Sequence, residues 1–129
     1  MSNATETNAL RILVVENHAD TLESLKLYLE DSGHEVATAM TLEQALQALK
    51  SVGHDVVICD IGLPDGTGWE LIDFLKAHPK IYAVAMSGFG QNADSTRSRA
   101  AGFRHHLLKP FRGAELDKVL EEALTEREK

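Results

Sequence analysis

Val56-Val57-Ile58-Cys59-Asp60-Ile61-Gly62-Leu63-Pro64-Asp65-Gly66-Thr67-Gly68 is the stretch from which the fold can be read. Its first four residues are apolar without interruption, too short for a helix of ordinary length and lacking the polar alternation of a half-solvated strand. A strand buried on both faces, as in a parallel sheet, has this character. The Asp60 carboxylate follows at once, and Pro64, Gly66 and Gly68 then read as loop formers. Ile12-Leu13-Val14-Val15, residues 81–86 and Leu107-Leu108 are runs of the same kind. Residues 34–39 alternate more, with Glu35 and Thr38 among small apolar residues, and suit a sheet edge.

Between these runs the period becomes helical. Leu22, Leu25 and Leu29 form one apolar stripe, closed by Gly33 at the position after the C-cap. Leu42, Ala45, Leu46 and Leu49 form a second, with Thr41 as N-cap candidate and Gln44 in reach of a capping box. Residues 69–78 make a third helix, stopped before Pro79. Residues 92–101 make a polar fourth, closed by Gly102, and residues 115–126 a fifth with Leu116, Val119, Leu120, Ala123 and Leu124 on one side. Five β-α units in strict alternation predict an α/β, doubly wound sandwich of flavodoxin-like (βα)5 type, its five-stranded parallel sheet in the order 2-1-3-4-5. Ligand chemistry is then expected at the carboxyl ends of the strands.

The totals agree with one soluble domain. The chain has 129 residues, enough for a core without metals or disulfides, and its single cysteine, Cys59, permits no internal disulfide. Cys59 itself reads as a small core residue. A net charge of −7 with no basic run argues against nucleic acid as a partner. No run reaches the length of a membrane span and the first residues lack an apolar signal core, so no membrane insertion and a cytoplasmic location are expected. Residues 1–9 read as a disordered lead, 10–126 as the folded domain and 127–129 as a tail.

Each strand end carries a reactive side chain. The first strand delivers Glu16 and Asn17, the third Asp60, the fourth Ser87 and the fifth Lys109. A carboxylate nucleophile, oxygen ligands for a hard cation, a hydroxyl and an ammonium are what aspartyl phosphorylation requires. Alone, Asp60 reads as a turn residue, Ser87 as part of a Ser-Gly turn, Lys109 as a loop lysine and Glu16-Asn17 as a helix cap. Their common rim favours the chemical reading.

Four segments, residues 12–17, 59–68, 85–88 and 101–110, in this order and at these strand ends, resemble the receiver domain of two-component response regulators. The resemblance covers roughly residues 10–126, and the wording of the last segment is similar to receivers attached to hybrid histidine kinases. It implies that Asp60 is the phospho-acceptor, Ser87 the switch hydroxyl and Lys109 the phosphate-contacting lysine. It further implies Mg²⁺ or Mn²⁺ held by Glu16, Asn17, Asp60 and the backbone carbonyl of Gly62, and a cis Lys109–Pro110 bond that aims Lys109 into the site. The implied partners are a histidine kinase or histidine phosphotransfer protein and a downstream protein. The downstream protein would be met through the face of the fourth helix, fifth strand and fifth helix, where Arg97 and Arg99 lie, and a second copy of the chain is left open. No enzymatic activity beyond its own phosphorylation and dephosphorylation is expected.

Three features, at four positions, depart from the family pattern. Asn17 stands where a second metal-binding acid is usual, which predicts weaker Mg²⁺ affinity. His106 stands at the switch position usually Tyr or Phe, and is expected to turn toward Ser87 and to respond to phosphorylation and pH. Gly62 and Phe89 flank the acceptor without a polar side chain, so no group there orients a hydrolytic water, and a long-lived phospho-Asp60 follows. Asn17 also leaves room for a pseudo-receiver, an interaction module that is barely phosphorylated. A phosphatase of the haloacid-dehalogenase type would need an acid at Gly62, and a flavodoxin would need a phosphate-cradling loop after the first strand. Of the histidines, His34, His54 and His78 read as solvated, and His105 and His106 as neighbours facing opposite ways.

Overall fold

The computed structural model describes residues 9–51, 53–88 and 95–127. Strands β1 (Arg11–Val15), β2 (Glu35–Ala39), β3 (Val56–Asp60), β4 (Tyr82–Ser87) and β5 (His105–Leu108) form one sheet, joined by helices α1 (Ala19–Asp31), α2 (Leu42–Ser51), α3 (Ile72–Ala77), α4 (Ser95–Ala100) and α5 (Gly113–Arg127). All pairings in this sheet are parallel, and the strand order is β2-β1-β3-β4-β5, the predicted one. A two-residue hairpin, Gly62–Leu63 against Gly66–Thr67, is added after β3.

Alternate residues of each strand point to opposite faces, so the sheet builds two cores. Ile12, Val14, Ile58, Val84 and Met86 pack against Leu22, Leu25 and Leu29 of α1 and against Leu116, Val119 and Leu120 of α5. Leu13, Val15, Val57, Cys59 and Ala85 pack on the other side against Ala45 and Leu49 of α2, Leu75 of α3 and Phe103. The uninterrupted apolar runs are thus explained: β3 and β4 are buried at every position. β2, at the edge, is mostly exposed.

Gly33 and Gly102 follow α1 and α4 with φ of 98° and 102°, the left-handed conformation that ends a helix most easily with glycine. Thr41 caps α2 as expected, its Oγ1 accepting the Gln44 N–H at 3.0 Å. Gln44 reaches one residue further back than a capping box requires, to the Met40 N–H at 2.8 Å. The Asp65 carboxylate, from the tip of the hairpin, accepts the Leu42 and Glu43 N–H groups at 2.7 and 3.1 Å. This second cap ties the loop after Asp60 to α2.

The third helix is shorter than its sequence pattern. Residues Gly68–Leu71 form a 3₁₀ turn, started by the Thr67 N–H donating to Glu70 Oε2 at 2.9 Å, and α3 proper is Ile72–Ala77. His78 leaves the helical region because a following proline crowds it. The fourth helix begins at Ser95; residues 92–94 of the expected span lie outside the described residues, as does Phe89. β5 begins two residues earlier than its apolar pair, at His105. His34 is not simply solvated: it is half-buried, and its Nδ1 accepts the Leu10 N–H at 3.1 Å.

Candidate functional site

Parallel strands end on one rim, and the ladder carries the site residues onto it. Beyond the strands proper, the Glu16 N–H donates to Ala39 O, the Ile61 N–H to Met86 O and the Lys109 N–H to Ser87 O, at 2.8 to 3.0 Å. Glu16, Asp60 and Ser87 are each at most 1% exposed, at the mouth of the sheet. The Lys109–Pro110 peptide bond is cis, as the resemblance implied.

Lys109 bridges the two carboxylates. Its Nζ donates to Asp60 Oδ2 at 2.6 Å and also to Glu16 Oε1. Asp60 Oδ1 accepts the Gly62 N–H at 2.8 Å. Glu16 Oε2 accepts the His18 N–H at 3.0 Å and lies 2.8 Å from His18 Nδ1. Burial raises the Asp60 pKa, and the bonds from Lys109 and Gly62 offset this only in part. Burial acts the same way on Glu16, but its bonds from Lys109 and His18 outweigh it and hold the carboxyl below its ordinary value. Burial also works against the Lys109 ammonium, yet Asp60 and Glu16 together raise its pKa. The same lysine thus meets one carboxyl whose pKa is held down, Glu16, and one whose pKa is pushed up, Asp60.

The donor set fits a divalent cation. Asn17 Oδ1 is buried with no hydrogen-bond partner among the described residues, and an orphaned buried acceptor calls for one. Donor atoms of Glu16, His18 and Asp60 all lie within 4.8 Å of one another.

A second group extends from the rim into the molecule. Ser87 Oγ lies 2.8 Å from His106 Nε2, and His106 Nδ1 lies 2.7 Å from Ser98 Oγ on α4. Ser98 Oγ accepts the Trp69 indole N–H at 2.9 Å, and the Arg97 guanidinium sits 4.1 Å above the Trp69 ring. His105 faces the other way, as expected, and pairs with Glu122 of α5.

Of the site residues expected from sequence, Glu16, Asp60, Gly62 and Lys109 are joined by hydrogen bonds and Ser87 and His106 by another, Asn17 adjoins Glu16 in the chain, and Phe89 lies outside the described residues. The sequence reading missed His18, whose signal was its place two residues after Glu16. It also missed Ser98, a polar residue in a polar helix that no periodicity sets apart. Cys59 Sγ is turned into the α2–α3 core, where burial pushes the thiol far up.

A doubly wound parallel sheet with two carboxylates, a hydroxyl and a lysine on its carboxyl rim defines a flavodoxin-like module built around an aspartate. Comparison narrows the class. The family pattern for the response regulator receiver domain matches residues 12–121, and the chain belongs to that family. It is 33% identical over 113 residues to the KDP operon transcriptional regulatory protein KdpE of Escherichia coli, covering 88% of this chain and 50% of that protein. It is 30% identical over 114 residues to an uncharacterized 14.6 kDa protein of Leptolyngbya boryana, covering 86% and 87% of the two chains. A CheY-like receiver domain protein from Methanospirillum hungatei superposes with a TM-score of 0.84 at 31% identity, covering 92% of this chain and 95% of that one. The chain spans about half the length of the transcriptional regulators it matches. It is a receiver domain of two-component signalling, and receiver domains bind Mg²⁺ at an acidic pocket of this kind. Among the described residues no helix is long and apolar enough to cross a membrane.

Proposed function

We propose that Asp60 is the residue that accepts the phosphoryl group, from a phosphohistidine on a histidine kinase or phosphotransfer protein. The observation that carries this is the Lys109 ammonium, 2.6 Å from a nearly fully buried Asp60 carboxylate. A carboxylate oxygen of Asp60 forms the bond to phosphorus as the bond to the donor imidazole nitrogen breaks, its electron pair leaving with that nitrogen. Lys109 moves from Asp60 to a phosphoryl oxygen, and the Ser87 hydroxyl donates to another. A Mg²⁺ or Mn²⁺ ion bound by Glu16, Asn17, Asp60 and the Gly62 carbonyl supplies charge that offsets the phosphoryl oxygens. Gly62 offers no side chain to orient a hydrolytic water, which supports a long-lived phospho-Asp60.

Ser87 and His106 then act as the switch, passing the change to the face of α4, β5 and α5. Exposed Leu108 and Arg99 give that face an apolar and a cationic contact for a downstream protein or a second copy. Catalysis is confined to the chain's own phosphorylation and dephosphorylation, in the cytoplasm. Incubation with acetyl phosphate and Mg²⁺ should add one phosphoryl group by intact mass, labile to hydroxylamine and absent from Asp60→Asn. An unlabelled parent protein would establish the pseudo-receiver reading instead.

Asn17 supplies an oxygen without a formal charge. At ~4 Å a unit charge pair is worth ~4 kcal/mol at an effective dielectric near 20, before the ions' lost hydration is deducted. Asn17→Asp should therefore bind Mg²⁺ more tightly in a calorimetric titration, and equal affinity would remove this role for Asn17.

A further inference from the structure

Residues Glu16, Asn17 and His18 present three different donors in succession: a carboxylate, an amide oxygen and an imidazole. Glu16 Oε1 is taken by Lys109, and Glu16 Oε2 faces His18. His18 occupies the N-cap position of α1, with φ −93° and ψ 115°, but its side chain makes no capping bond. The ring instead turns back over the rim, with Nδ1 2.8 Å from Glu16 Oε2. Its side chain is 71% exposed, so ligation costs it little desolvation.

Neighbouring ligands of one six-coordinate ion with ~2.1 Å bonds stand ~3 Å apart, and opposite ligands ~4.2 Å. The Glu16–His18 contact matches the first spacing, and Asp60 falls within 4.8 Å of both. Asn17 Oδ1, buried and without a hydrogen-bond partner, adds a further acceptor from the adjacent residue. The plain alternative is a surface histidine paired with a glutamate beside a cation site of oxygen ligands alone, and the His18 variant below separates the two.

The composition of the set decides which ion suits it. Mg²⁺ prefers oxygen ligands and dehydrates reluctantly, whereas imidazole favours the later first-row divalent ions. Asn17 has also removed a carboxylate, so Glu16, Asp60 and Lys109 leave the pocket with less negative charge to hold a hard cation.

We propose that His18 is a metal ligand that turns this pocket, with Glu16 and Asp60, into a site preferring a late first-row divalent ion such as Co²⁺ or Zn²⁺ over Mg²⁺. The assignment rests on the pocket being a cation site, as proposed above. Such an ion sits on the Asp60 carboxylate, so its binding and that of Mg²⁺ exclude one another.

The test uses the full chain without a histidine tag, titrated calorimetrically with CoCl₂ and separately with MgCl₂. Co²⁺ ligation is also followed by its visible absorption. Expected is tighter Co²⁺ than Mg²⁺ binding, with a Co²⁺ band moved from that of the hydrated ion and reversed by excess Mg²⁺. His18→Gln should narrow the Co²⁺ preference by ~10-fold or more, the loss typical of damaging a metal site's ligand shell. Because His18 is exposed, this variant should fold, which its thermal melt verifies. Mg²⁺ binding together with a Co²⁺ preference unchanged by His18→Gln would overturn the role of His18 alone. If neither ion binds, the cation site and this assignment fall together, and Asp60 labelling by acetyl phosphate then reports separately on the acceptor.

Discussion

Ser87 is hydrogen-bonded to His106, Oγ to Nε2, at 2.8 Å. His106 is bonded in turn through Nδ1 to Ser98, which accepts from Trp69. A neutral imidazole has one donor and one acceptor nitrogen. One of the two tautomeric arrangements, each of which has a hydrogen at every step, runs Trp69 N–H to Ser98, Ser98 O–H to His106 Nδ1, and His106 Nε2–H to Ser87. It leaves the Ser87 hydroxyl hydrogen for a phosphoryl oxygen. His106→Phe keeps an aromatic ring but removes both bonds, leaving two buried serines short of partners. Urea unfolding should show a loss of about 1–3 kcal/mol. Ser98→Ala should cost less in the His106→Phe background than in the parent protein, and fully additive losses would show that the bridge is not coupled.

Lys109 is the sole cation touching both Glu16 and Asp60 among the described residues. Lys109→Met leaves two buried carboxylates facing each other. Breaking a buried pair in this way costs about 3–5 kcal/mol, and the 20% exposure of the Lys109 side chain puts the loss at the lower end. Thermal melts should show a lowered midpoint, largely restored by Asp60→Asn in the same chain, because one charge of the pair is then gone. Restoration by MgCl₂ should likewise be greater than its effect on the parent protein. A midpoint unchanged by Lys109→Met would mean that water already screens the pair.

The sheet was legible because β1, β3 and β4 are buried on both faces, and only continuous apolar runs satisfy that environment. The rim was legible for a related reason: parallel strands place Glu16, Asp60, Ser87 and Lys109 together whatever lies between them. Local backbone competition was harder to read. Thr67 and Glu70 tighten the first turn after the hairpin, so the third helix starts late, and Asp65 caps α2 from a distance no local pattern reveals. Ser98 escaped because its partners are Trp69, 29 residues away in sequence, and His106 on β5, neither of which a helical pattern over α4 reveals. His34 escaped because its acceptor role depends on the chain just before β1.

Gly68 shows how closely the acceptor loop is packed. A Cβ placed there would stand 2.8 Å from the Asp60 carbonyl oxygen and 3.0 Å from Cys59 Sγ. The first of these neighbours is backbone and cannot swing aside. Gly68→Ala should therefore destabilise by about 1–3 kcal/mol, as overpacking does, and slow labelling of Asp60 by acetyl phosphate. Gly53→Ala is the control, since nothing lies within 4 Å of its added Cβ, and it should be neutral or slightly stabilising. Equal stability of the two variants in urea would show that the loop yields at Gly68.

His34 gives the fold a pH dependence of defined sign. Burial, with help from Arg127 and against the opposing pull of Asp117, holds its pKa below the ordinary imidazole value of 6.5. Its Nδ1 accepts the Leu10 N–H and so must be unprotonated in the folded state. As the pH falls, the unfolded chain takes up a proton on this residue before the folded one does. The stabilising contribution is therefore complete above pH 6.5 and is lost as the pH falls through the lower folded-state value. His34→Gln cannot titrate. Urea unfolding of both proteins between about pH 8 and pH 5 should show the parent losing stability on acidification relative to the variant. A difference that grows in the opposite direction would mean that protonated His34 is held by Asp117 more strongly than burial opposes it.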